Sequence, residues 1–150
     1  MNLKNIKLLL SAAVGIHDNK LNEFEVGHEL ISLWFDLLIE VILILEEKSK
    51  YVDLKEIECV DSWLEFIRND DVLTVSFAKY SEESNGPFLI TVKKEEFKYP
   101  TWKEAIISFS EFKYKVKMKA NQYLSEVGRI NPELINTKIM SKLYRKVQLI

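Results

Sequence analysis

Cysteine and histidine, the side chains that most often hold zinc, are scarce in this sequence. Of 150 residues, one is cysteine and two are histidine. Cys59 alone can form neither an intrachain disulfide nor a cysteine zinc cluster, which favours a reducing cytoplasm. His28 and Glu29 begin like the zinc motif H-E-x-x-H, but Ser32 stands where the second histidine is required. We therefore expect neither a metal nor any other cofactor.

Glycine is scarce as well, and the motifs of nucleotide-binding loops are missing. The four glycines form neither G-x-x-x-x-G-K-[ST] nor G-x-G-x-x-G, which disfavours nucleotide-dependent enzymes. Cys59 has acidic neighbours, Glu58 and Asp61, which disfavour the thiolate that a nucleophile needs. Sequence proximity alone places no two carboxylates across a cleft, as glycoside hydrolysis requires. We therefore expect no catalytic residues and no enzyme activity.

Hydrophobic runs long enough to cross a bilayer are also lacking. The main candidate, Leu30–Leu45, is shorter than the roughly 20 residues of a transmembrane helix, and it contains Asp36 and Glu40. An Asp near the bilayer centre costs on the order of 3 kcal/mol on insertion scales. The apolar stretch Leu8–Val14 is short, contains Ser11 and is followed by no A-x-A site, so we interpret it as a β-strand and not as a signal peptide. The sequence predicts a soluble protein without membrane contact.

The length and composition favour one folded domain over residues 1–150. The chain is 47% hydrophobic and has eight Phe, six Tyr and three Trp, which is enough apolar surface to form a core. Its net charge of −2 gives no global field that would attract nucleic acid or an anionic membrane. Any electrostatic preference for a partner must therefore be local.

The first third of the chain is predicted to form a β-hairpin and a long helix. Ile6–Phe24 is interpreted as the hairpin, because its apolar residues flank a polar turn beginning at His17. A helix over Lys4–Ala13 remains an alternative. Acidic residues at intervals of four or seven predict a helix over Glu25–Lys48, about 36 Å long at 1.5 Å per residue. Since its other residues are mostly apolar, we expect this helix at the centre of the core.

Three strands are predicted in the middle of the chain. Trp63–Arg68 alternates Leu64 and Phe66 against Trp63, Glu65 and Ile67, and the turn Asn69-Asp70-Asp71 follows it. Val72–Lys79 alternates in the same way, and Phe88–Val92 forms the third strand after the loop from Ser81 to Pro87. Consecutive short strands of this kind are typical of an antiparallel meander.

Two helices are predicted to complete the chain. Thr101 and Glu104 have the spacing of a capping box, so the first is expected to begin there, continue through Val127 and end at Gly128. Asn131-Pro132 is predicted to begin the second helix, with an apolar face of Ile135, Ile139, Leu143 and Val147. The predicted fold class is therefore α+β: a meander of four to five strands, including the N-terminal hairpin, packed against a long central helix and two C-terminal helices.

Charged residues form two candidate surfaces. An acidic stripe on the long helix and an acidic loop are the candidate partner-binding residues: Glu25, Glu29, Asp36, Glu40, Glu82 and Glu83. Rows of carboxylates steer basic proteins, although charge runs are more often simply solvated faces. Basic residues cluster at Lys113–Lys119 and Lys138–Lys146. The first cluster would form a nucleic-acid track on a strand but splits into two flanks on a helix, and the second is a patch on the last helix, so nucleic acid is the less favoured alternative.

The order of these elements resembles that of small bacterial proteins found as immunity partners of polymorphic toxins. The segments that carry the resemblance are the W-L-E-F-I-R and L-T-V-S-F strands and the Y-P-T-W-K-E-A helix start, after a hairpin and an acidic-striped helix. The resemblance lies in layout, so it assigns no functional residues. It implies a non-enzymatic cytoplasmic protein that blocks a cognate toxin by occluding it.

Overall fold

The structure is a computed structural model that describes residues 24–57, 59, 61–80 and 86–150, with side chains in the first helix from residue 31 onward. Apart from Phe24, the predicted N-terminal hairpin lies outside these residues. The fold is α+β, as predicted, with a five-stranded antiparallel sheet and three α-helices among the described residues. Within the same residues, no helix has the length and apolar character needed to cross a membrane.

Helix α1 (Phe24–Glu47) confirms the predicted long helix. Its apolar residues from Phe35 to Leu45 are buried over most of its circumference, and they form the centre of the main core. The helix ends where the amides of Lys48 and Ser49 both donate to the Ile44 carbonyl, at 2.9 Å each. Periodic acids on an otherwise apolar segment were therefore sufficient to identify it.

The sheet has the strand order β4-β1-β2-β3-β5. Strands β2 (Ser62–Asn69) and β3 (Val72–Lys79) confirm two of the predicted strands, and the third is reduced to β4 (Leu89–Ile90). Strand β1 (Tyr51–Lys55) was not predicted; it pairs with β2 along its whole length and places Asp53 opposite Glu65. Strands β1 to β3 form a meander, but the predicted third strand does not continue it from β3, because β4 pairs with β1 at one edge and β5 pairs with β3 at the other.

The predicted helix start at Thr101 is wrong. Ala105–Ser108 is strand β5, which pairs with β3, and helix α2 spans Phe109–Ile130. The Ser108 side chain caps α2 by accepting the amide of Glu111 at 3.1 Å. Backbone bonds to the edge of β3, together with the two β-branched residues after Ala105, outweigh the local capping signal at Thr101.

The end of α2 and the last helix also differ from the predictions. Gly128 lies inside α2, where a Cβ would come 3.2 Å from the Ile135 side chain, so this glycine permits a close approach and does not end the helix. A 3₁₀ helix (Pro132–Asn136) precedes helix α3 (Lys138–Val147), which is capped by Thr137. The predicted single helix is thus two elements.

The two faces of the sheet have different coverings. The face toward the helices contributes apolar side chains to the main core: Val52, Leu54, Phe66, Leu73, Val75 and Ile107. Arg68 joins this face to α1 and α2, since it donates to the Leu45 carbonyl at 2.9 Å and stacks 3.9 Å from the centre of the Phe109 ring. The opposite face has a smaller apolar cluster of Trp63, Ala78 and Phe97. This second face is the less completely covered of the two.

Candidate functional site

The acidic stripe is partly neutralised by helix α3. Asp36 pairs with Lys142 at 3.0 Å and with Lys146 at 2.9 Å, and Glu40 pairs with Lys146 at 3.0 Å. The expectation that these carboxylates face water is wrong for Asp36, whose side chain is only 17% exposed. Burial alone would lower the pKa of Lys146, but the carboxylates of Asp36 and Glu40 outweigh it and raise that pKa. These two acids join α1 to α3.

The other predicted acidic residues are not positioned by these contacts. The side chains of Glu25 and Glu29 fall in the part of α1 that is described by its backbone only, and Glu82 and Glu83 lie outside the described residues. Their role in binding a partner stays a prediction. Glu46, just beyond the stripe, pairs with Lys113 of α2 at 2.6 Å.

The basic residues are helical, as predicted, and several contact other parts of the chain. Lys113 pairs with Glu46, Lys142 and Lys146 pair with α1, and the Lys117 ammonium donates to the carbonyl of Ile150. A lysine with such a contact can bind a phosphate group of a nucleic acid only after that contact is broken. The helices therefore use much of this positive charge in their own packing.

An uncovered row crosses the sheet on the face opposite the helices. Tyr51, Ile67, Thr74 and Ile106 are successive cross-strand neighbours on β1, β2, β3 and β5, and all four are at least partly exposed. Ile106 is 60% exposed, and its diagonal neighbour Val72 is 47% exposed. We call Ile67, Val72, Thr74 and Ile106 the open patch. Val72 and Ile106 are exposed to solvent in this patch, and Ile67 and Thr74 are partly exposed.

A buried acidic row lies directly beside the open patch. Asp53 faces Glu65 across β1 and β2, and Glu65 faces Ser76 across β2 and β3. Both carboxyl groups, which we call the acid pair, are almost fully buried. The Tyr51 hydroxyl lies 2.7 Å from Asp53 Oδ2 and 3.2 Å from Glu65 Oε1. The Tyr99 hydroxyl lies 3.1 Å from each oxygen of Glu65.

The environment of the acid pair favours a neutral Asp53. Burial and the nearby Glu65 carboxylate raise the pKa of Asp53 to about 7, against the lowering effects of the Tyr51 hydrogen bond and of Lys93 and Lys94. Burial and Glu65 also raise the pKa of Tyr99 to about 12. Asp53 therefore holds a proton up to neutral pH, and Tyr99 stays a donor throughout that range.

The segment between β4 and β5 covers only one end of this face. Phe97 packs on Trp63 with ring centres 6.0 Å apart, and Lys98 bridges to Lys79 on the outer edge of β3. Glu104 adopts a left-handed backbone conformation, with φ of 57°, and its amide donates to Ser76 Oγ at 3.0 Å. The segment thus crosses the sheet over the acid pair and leaves the open patch exposed.

Sequence reasoning missed the acid pair because Asp53 lies on β1, a strand that was not predicted. The alternation of W-L-E-F-I-R did place Glu65 on the same face as Trp63 and Ile67. Asp53 became visible only once β1 was known to pair with β2. A pattern of hydrophobic residues does not identify a strand such as β1, in which some of the buried residues are polar.

Among the described residues, no group of three or more His, Cys, Asp or Glu side chains is placed to hold a metal ion. No family model, curated protein or solved structure matches this chain.

Proposed function

We propose that this chain is a non-enzymatic protein-binding module of the immunity type, which neutralises a bacterial toxin domain by binding it directly. The observation that carries the proposal is the open patch, a set of aliphatic side chains fixed on neighbouring strands and left in solvent. The resemblance in layout to immunity proteins supplies the class of partner. The open patch supplies the surface.

The energetics of the open patch suit a protein partner. Full burial of an Ile or Val side chain is worth roughly 1.5–3 kcal/mol, and Ile106 and Val72 retain about half of their surface for such a contact. Residues on a paired sheet are already ordered, so binding pays little additional conformational entropy. An apolar centre with a charged rim is the usual composition of such an interface.

The acidic residues predicted from the sequence have a secondary role in this proposal. Asp36 and Glu40 are held by lysines of α3, so we assign them to helix packing. Glu25, Glu29 and the loop acids Glu82 and Glu83 remain candidates for steering a basic toxin toward the protein, because a row of carboxylates accelerates encounter with a cationic partner.

The proposal predicts that a gene beside this one encodes a toxin domain, and the test is binding of that domain to this protein. Ile106→Asp places a charge in the open patch, at its most exposed residue, and Ile139→Asp makes the same change at an exposed position of α3. We expect wild type and Ile139→Asp to bind and to protect cells from the toxin. Ile106→Asp should lose at least about tenfold in affinity, which is 1.4 kcal/mol. The proposal fails if wild type forms no complex, or if both variants bind equally well.

A further inference from the structure

We propose that the acid pair is a receptor for one basic side chain of the bound partner, a guanidinium or an ammonium group, which takes the place of Lys93 beside Glu65. This inference rests on the proposed function and adds a chemical specificity to it. The acid pair lies one row from the open patch, two residues along each strand from Tyr51 and Ile67. A partner seated on the open patch is therefore within reach of it.

The acid pair has fewer donors than its oxygens can accept. Tyr51 has one hydroxyl proton to share between Asp53 and Glu65, and Tyr99 has one to share between the two oxygens of Glu65. Asp53 Oδ1 is fully buried and has no hydrogen-bond partner. A buried carboxylate oxygen without a donor is unfavourable. When Asp53 is ionised the site is thus one donor short, and a donor with a positive charge would also offset the two neighbouring carboxylates.

Lys93 shows how a cation reaches this site. Its ammonium lies 3.4 Å from Glu65 Oε1, yet its side chain is 57% exposed, so the contact is made from the solvent side. A loosely held lysine is readily exchanged, because a partly exposed ion pair is weak. A guanidinium has five donors in a planar fork, so one that replaces Lys93 at Glu65 has further donors to direct toward Asp53, the neighbour of Glu65 on β1.

Protonation satisfies the acid pair when no cation is bound. Since Asp53 is neutral up to about pH 7, a bound cation must expel a proton, and its affinity should fall about tenfold per pH unit below that pKa. The groups that face the acid pair are Tyr51 on β1, and Lys93, Lys94 and Tyr99 on the covering segment. Asp53 is the group at this site whose pKa burial and Glu65 raise to about 7, so we assign the pH dependence to Asp53.

The probe is methylguanidinium, titrated into the full chain while the carboxyl ¹³C signals of Asp53 and Glu65 are recorded by NMR. We expect a saturable shift of both signals at about pH 8, tighter in Lys93→Met, which lacks the competing ammonium, and at least about tenfold weaker at about pH 6. Tetramethylammonium has the same charge but no donor, and it should cause no such shift. Asp61→Asn, a control at a carboxylate bound to Lys79, should bind like wild type.

The site is overturned if Lys93→Met shows no saturation at about pH 8, or if the shifts are the same with tetramethylammonium. Lowering the pH switches off the site without a mutation, so the test does not depend on whether Asp53 variants fold. The titration contains no toxin. A failed complex with the toxin would therefore count against the proposed function, and absent saturation would count against this site alone.

Discussion

Substitution of Asp53 by Asn should remove a specific pH dependence of stability. The folded protein raises the pKa of this carboxyl from 3.8 to about 7. Between these values the native state holds a proton that the unfolded chain has released. The free energy of unfolding must therefore fall as pH rises through this window, and it levels off once both states are ionised above the folded pKa. The side-chain amide of Asp53→Asn cannot ionise, so the variant lacks this loss.

The size of the effect follows from the shift in pKa. Each unit of difference in pKa corresponds to about 1.4 kcal/mol. Between about pH 4.5 and about pH 7.5 the wild type should therefore lose about 3 kcal/mol relative to Asp53→Asn. The penalty is large at this position mainly because full burial removes water from the Asp53 carboxylate, and repulsion by Glu65 adds to it.

Urea denaturation at a series of pH values measures this difference. The gap between Asp53→Asn and wild type should widen steadily toward neutral pH and then become constant. Asp61→Asn is the matched control, because hydrogen bonds from Lys79 hold the pKa of Asp61 below its usual value, so both states are ionised throughout the window. Parallel stability curves for wild type and Asp53→Asn would refute the reasoning, since they would show that Asp53 is ionised in the folded protein at weakly acidic pH.

Three further predictions concern the helix contacts, and five substitutions test them. Lys146→Met should lower the free energy of unfolding by about 2 kcal/mol, because it leaves two part-buried carboxylates without the cation that they share. Lys142 is more exposed, so Lys142→Met should lower it by under about 1 kcal/mol. Equal losses in urea denaturation would contradict this prediction. Arg68→Lys should lower the melting temperature by about 4 °C, because an ammonium cannot both stack on the Phe109 ring and donate to two carbonyls as the guanidinium does. An unchanged melting curve by circular dichroism would show that these contacts do not stabilise the fold. Ser108→Ala should lower the free energy of unfolding by about 1 kcal/mol, because it removes the cap of α2. Thr101→Ala should leave it nearly unchanged in the same urea denaturation. The reverse order would indicate that the helix begins at Thr101 after all.

Elements with a strong local pattern could be predicted from the sequence. Helix α1 was recognisable because its acids recur at helical spacing on an apolar segment, and β2 and β3 because their apolar residues alternate. Strand β5 was missed because Thr101 and Glu104 have the spacing of a helix cap. The edge of β3, which is distant in sequence, decides the conformation of that segment.

The candidate site was less predictable than the fold. Strand β1 contains Asp53 and Lys55, both buried, and buried charged residues hide a strand from a hydrophobicity pattern. The acidic stripe could be located on α1, but its pairing with α3 depends on tertiary packing across more than a hundred residues of sequence. Local spacing reveals which residues share a face, and only the register between strands and helices reveals what that face meets.

Amide hydrogen exchange on the complex with the toxin domain tests most directly whether the sheet face opposite the helices is the binding surface. Toxin should slow exchange at β2, β3 and β5, around Ile67, Val72 and Ile106, and should leave the outer surfaces of α2 and α3 unchanged. Protection confined to α2 and α3, with unchanged exchange across these strands, would contradict the account.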